Sequence, residues 1–105
     1  MSTTTKTDDG ERILGALRAH EAELHRAGVR HLSLFGSFAR GDAGAMSDID
    51  LAAEFDPAAH MDLIRLTALQ RRIAKILGRR VDLTPEPVEK PRFKANIDRD
   101  RRRAF

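Results

Sequence analysis

The chain has 105 residues, 41% hydrophobic and 33% charged, with 19 Lys and Arg against 16 Asp and Glu for a net charge of +3. That size suits one domain, and the absence of cysteine excludes a disulfide framework and thiolate metal centres. No apolar run approaches the roughly 18 residues that span a bilayer, and Met1 to Thr7 is rich in Ser and Thr with no apolar stretch of a secretory signal, so a cytosolic protein is expected.

Residues 1–8 read as a flexible leader to one domain over 9–105, and Asp8, three residues before Glu11, has the spacing of a helix N-cap. From Glu11 to Ala27, Ile13, Leu14, Leu17 and Leu24 recur at helical spacing until Gly28 stops the pattern, which predicts one helix. Val29 to Phe35 reads as a strand, with Leu32 and Leu34 on one face and Ser33 and Phe35 on the other. Gly36-Ser37 then opens a short turn-helix ending at Gly41, and a loop follows through Met46.

A second strand alternates cleanly over 48–55. Ile49, Leu51, Ala53 and Phe55 point one way, and Asp48, Asp50, Ala52 and Glu54 the other. Asp56-Pro57 ends it. A long helix from about Ala59 carries Leu63, Leu66, Leu69, Ile73 and Ile76 on one stripe and closes at Gly78. Arg79 to Thr84 is a third strand, after which Pro85 and Pro87 break the chain. The tail from about Glu89 predicts a last helix that buries Phe93 and Ile97. The order implies an α/β fold: a small mixed sheet of three strands, with room for a short fourth, and helices packed on its apolar face.

Asp48 and Asp50, two apart on a strand, send both carboxylates to one face about 6–7 Å apart. Like charges that close raise at least one pKa unless a cation neutralises them, and hard oxygen ligands without Cys or His suit magnesium or manganese rather than zinc. A lone Asp-x-Asp is more often two solvated residues. Here Ser37 follows a strand and a glycine, where a sharp turn offers a hydroxyl and free backbone N–H groups to phosphate oxygens. Asp82, between Val81 and Leu83, repeats the arrangement of Asp50 on a third strand and adds a carboxylate from another element, as two-metal phosphoryl transfer requires. The four histidines, His20, His25, His31 and His60, have no zinc-ligand spacing. The basic residues between Arg92 and Arg103 read as a solvated face or frayed end, with attraction for phosphates or an acidic partner as the alternative.

Gly36-Ser37-Phe38-Ala39-Arg40-Gly41, six further residues, and Asp48-Ile49-Asp50-Leu51 together resemble the signature of the DNA polymerase beta-like nucleotidyltransferase superfamily, and within it the minimal nucleotidyltransferases. The resemblance is densest over residues 32–55 and reaches about residue 84. It implies Asp48, Asp50 and Asp82 as catalytic metal ligands for two magnesium ions, and Gly36, Ser37 and Arg40 as the part that contacts ATP. Phe38 stands where many relatives carry a polar or basic residue. By the same resemblance the chain would be an antitoxin in a hetero-oligomer with a HEPN-domain ribonuclease toxin, transferring AMP from ATP onto a toxin hydroxyl; direct nucleic-acid binding is not favoured. A silent antitoxin acting by contact alone, or a transferase acting on a small molecule or RNA, remain as alternatives.

Overall fold

The computed structural model describes residues 8–105; of the expected leader, residues 1–8, the first seven lie outside them. Asp8 belongs to the fold rather than to a leader, because its carboxylate accepts the Gly10 N–H at 2.9 Å and caps helix α1, Asp9–Ala19. The single helix predicted over 11–27 is two, α1 and α2 (Glu21–Arg26). The break has a local cause. His20 Nδ1 lies 2.9 Å from the Ala16 carbonyl, the acceptor its own N–H would use in a continued helix, and that N–H turns to the Leu17 carbonyl at 3.1 Å. Leu17 and Leu24, on either side of the break, are both fully buried.

Strand β1 (Val29–Phe35) follows, then the short helix α3 (Ser37–Arg40), strand β2 (Ile49–Phe55), a 3-10 turn at Pro57–Ala59, helix α4 (Leu63–Leu77), strand β3 (Val81–Glu86), helix α5 (Pro91–Asp100) and the two-residue strand β4 (Arg102–Arg103). The sheet has four strands in the order β3-β2-β1-β4. β1 pairs antiparallel with β2 and β4, and β2 pairs parallel with β3 across the α4 crossover. Pro85 does not end β3 as expected; it sits inside that strand, which is at an edge of the sheet, where a missing N–H leaves no ladder bond unmade.

Helix α4 begins later than its apolar pattern suggests. Asp62 caps it by accepting the Arg65 N–H at 2.8 Å, and Gly78 closes it in a left-handed conformation, φ +68°. Leu63 therefore falls in the first turn and points away from the sheet: it is 77% exposed and Ile64 81% exposed, so the buried stripe rests on Leu69 and Ile73 with Leu66 partly buried against it.

Strand alternation sorts the side chains onto two faces. Leu32, Leu34, Ile49, Leu51, Ala53, Val81 and Leu83 join Ile13, Leu14, Leu17, Leu24, Leu69 and Ile73 in the main core beneath α1, α2 and α4. The long helices thus lie on one face, as expected, while α5 crosses to the other. There Ile97, with Phe93 beside it, packs on Phe35 and Ala52. The basic end of the chain is folded in rather than frayed. Arg101 pairs with Glu86 and donates to the buried Ser33 hydroxyl, Arg102 pairs with Asp8 and Glu11, and the Arg18 Nε donates to the Ala104 carbonyl at 2.8 Å.

The burial pattern sets a contrast along one helix. Ile73→Ala is expected to lower unfolding stability by about 2–5 kcal/mol, whereas Ile64→Ala should change it by no more than about 0.5 kcal/mol, read as shifts of the urea midpoint.

Candidate active site

The site begins where β1 ends. In the antiparallel register Phe35 lies opposite Asp50, so the next residue, Gly36, must pass directly beside that carboxylate. Gly36 adopts φ +77° and ψ −156°, a region essentially reserved for glycine, and a Cβ there would stand 2.3 Å from Asp50 Oδ2. Both facts exclude any side chain. Ser37 opens α3, whose first N–H groups, from Ser37 to Ala39, have no intrahelical acceptor. The Arg40 and Gly41 N–H groups close the turn on the Gly36 and Ser37 carbonyls, each at 3.0 Å.

On the other flank of Asp50 the parallel pairing places Asp82 of β3, one strand spacing of about 4.8 Å away. Asp50 is half-buried and its pKa is raised, first by loss of hydration and then by the fields of Asp82 and Asp48, with Arg40 opposing the shift. Asp48 was expected within the second strand and instead stands one residue ahead of it, exposed, with its Oδ1 accepting from Arg80 Nε at 3.2 Å. Among the described residues no three acidic or histidine side chains are drawn together closely enough to hold a metal as they stand, and the Arg80 pairing engages one of the three acids. The donor chemistry nevertheless suits a hard divalent cation: oxygen ligands only, from adjacent strand ends, with one carboxylate already disfavoured as an anion by its neighbours.

Arg40, grouped with Gly36 and Ser37 by the motif, is close enough for its charge to act on Asp50. Its guanidinium is held by other partners, donating to Asp100 at 2.8 Å and to Asp42 at 3.1 Å, and so ties α3 to the end of α5. Sequence reasoning missed Asp100, whose side chain is 4% exposed, and the arginine pair Arg79-Arg80. The one visible signal was the position of those arginines directly before the Asp82 strand.

The profile of the family described as "Nucleotidyltransferase domain" matches residues 17–104. The chain is a member of the nucleotidyltransferase family. The matched span includes the turn, all three acids and Arg40. Among relatives, this nucleotidyltransferase is 39% identical over 74 residues to the protein adenylyltransferase MntA of Thermococcus cleftensis, covering 70% of this chain and 73% of the relative. It is 37% identical over 86 residues to a proposed protein adenylyltransferase of Methanocaldococcus jannaschii, covering 80% and 86%. A solved structure of a proposed minimal nucleotidyltransferase superposes with a TM-score of 0.72 at 29% identity, over 92% of this chain and 97% of that one. The fold is also that of an MNT antitoxin solved with a tri-AMPylated HEPN toxin of Shewanella oneidensis, with a TM-score of 0.58 at 21% identity over 92% and 69% of the chains. No helix among the described residues is long and apolar enough to cross a membrane.

The electrostatics of Asp50 give a pH test in metal-free buffer. Its folded-state pKa lies above the ordinary value of 3.8, so its ionised form costs stability that develops as pH rises through the folded pKa and is absent below the ordinary value. Asp50→Asn should therefore melt at a higher temperature than the wild type at neutral pH, with the gain vanishing in acid. An equal gain at both pH values would trace the effect to packing instead.

Proposed function

We propose that this chain transfers the AMP moiety of ATP to a side-chain hydroxyl of a HEPN toxin and neutralises the toxin by that modification. The observation that carries the reading is the Gly36 turn packed on Asp50, with Asp82 in the adjacent register. One sheet end thereby gathers free N–H groups and mutually repelling carboxylates. The name of the Thermococcus relative supports the chemistry, and the fold neighbour that holds a tri-AMPylated HEPN toxin supports the partner. A further fold neighbour is a toxin–antitoxin solved with AMP-PNP.

Asp48, Asp50 and Asp82 would hold magnesium, two ions in the expected arrangement, which supplies positive charge to the triphosphate and lowers the pKa of the attacking hydroxyl. The N–H groups of Ser37 to Ala39 and the Ser37 hydroxyl receive phosphate oxygens, and Gly36 keeps the backbone low enough for that approach. Asp82, exposed at the edge strand, accepts the proton of the attacking hydroxyl. The oxygen–phosphorus bond forms at the α-phosphate as the bond to the departing pyrophosphate breaks. Arg40, held by Asp42 and Asp100, favours the ionised form of Asp50 and steadies the turn.

Incubation of the wild type with ATP, magnesium and its HEPN partner should add whole AMP units to the partner in intact-mass spectra. Asp48→Asn/Asp50→Asn should slow that gain at least about a hundredfold, since charge stabilisation of the transition state is lost, while the two proteins still co-purify. Ser37→Ala should weaken ATP binding with the melting temperature unchanged. Full protection of cells by the double mutant at native expression would instead assign neutralisation to contact alone.

A further inference from the structure

The segment 42–47 joins the Gly36-Ser37 turn to Asp48; it closes partly on itself, the Gly44 N–H donating to Ser47 Oγ at 2.9 Å and the Ser47 N–H to the Gly44 carbonyl at 3.1 Å, and partly on a side chain from outside it. Arg79 Nε donates to the Ser47 carbonyl at 3.0 Å, and its Nη2 donates to the carbonyls of Gly44 at 3.1 Å and Ala45 at 2.8 Å. The same guanidinium lies over the Phe38 ring, 5.0 Å from its centroid, and Phe38 directly follows Ser37. The next residue completes the grip: the Arg80 carbonyl accepts the Ile49 N–H at 2.9 Å. The residues on both sides of Asp48 are thus fixed, Ser47 by the Arg79 side chain and Ile49 by the Arg80 backbone.

We propose that Arg79 is a positioning residue that holds the Ser37 turn and Asp48 in one geometry for a metal-bound nucleoside triphosphate. The proposal rests on the transferase reading above and adds to it the device that sets the spacing between its phosphate-binding and acidic parts. Only a guanidinium fits the position. Its fork satisfies three carbonyls while its flat face covers an aromatic ring, and a lysine ammonium reproduces the charge but neither the fork nor the face. Phe38 is the surface on which the clamp rests.

The test uses Arg79→Lys, with Arg79→Ala beside it, and two readouts on the full chain: MgATP affinity by calorimetry and amide hydrogen exchange over residues 37–49. Arg79→Lys should melt as the wild type does, bind MgATP roughly tenfold more weakly, as loss of a supporting contact around metal ligands commonly does, and exchange faster only at the 42–48 segment and the α3 turn. Arg79→Ala should do the same more strongly; if it fails to fold, Arg79→Lys alone carries the test. Wild-type affinity in Arg79→Lys overturns the positioning role by showing that charge suffices, and so does exchange that quickens evenly over the whole molecule. A wild-type protein that binds no MgATP overturns the transferase reading itself, and the positioning role with it.

Discussion

The site hangs on one close approach, that of the Gly36 backbone to the Asp50 carboxylate, and most of what surrounds it follows from that contact. The antiparallel register puts Phe35 opposite Asp50 and leaves the chain no room to leave β1 except across the acid. With no Cβ at 36, the backbone takes the space that solvent would otherwise occupy around the carboxylate, and Asp50 loses hydration. Asp82, fixed in the parallel register on the other side, adds a like charge. Sterics thereby become electrostatics: a carboxylate disfavoured as an anion in the bare protein is one that gains from a bound cation.

The two faces of the sheet divide the labour. The helical face is an ordinary apolar core under α1, α2 and α4. The opposite face is covered over Phe35 and Ala52 by α5, while the end that carries Asp50 and Asp82 stays accessible. Burial of Ile97 seats α5, and the buried Asp100 at its end holds Arg40, so packing on the covered half of this face steadies the turn on the open half. The basic residues of the tail serve this architecture. Arg101 and Arg102 are spent on Glu86, Asp8 and Glu11, which joins the C-terminal strand to β3 and to α1. These two arginines are therefore held within the fold, and Arg40 and Arg80, which act on Asp50 and Asp48, are each bound to a carboxylate.

The sequence by itself determined the strands, their alternation, the glycine turn and the three acids, because period-two patterning and a glycine–serine turn are local properties written in adjacent residues. The sheet, its mixed character and the family could be read at that level. Two departures turn on local side-chain bonds that the apolar period does not record: the split at His20 depends on a ring nitrogen reaching back to Ala16, and the exposure of Leu63 on Asp62 capping the helix later than the apolar stripe suggests. Tertiary structure alone decided the arginine contacts. Arg40 against Asp100, Arg79 against the 44–47 carbonyls and Arg80 against Asp48 join residues far apart in the chain. An arginine's partner is chosen by which carboxylate or carbonyl the folded chain delivers to it, and no spacing rule encodes that. The same holds for the basic tail, whose composition suits a frayed end and whose strand pairing sets Arg103 beside Ser33, far away in the chain.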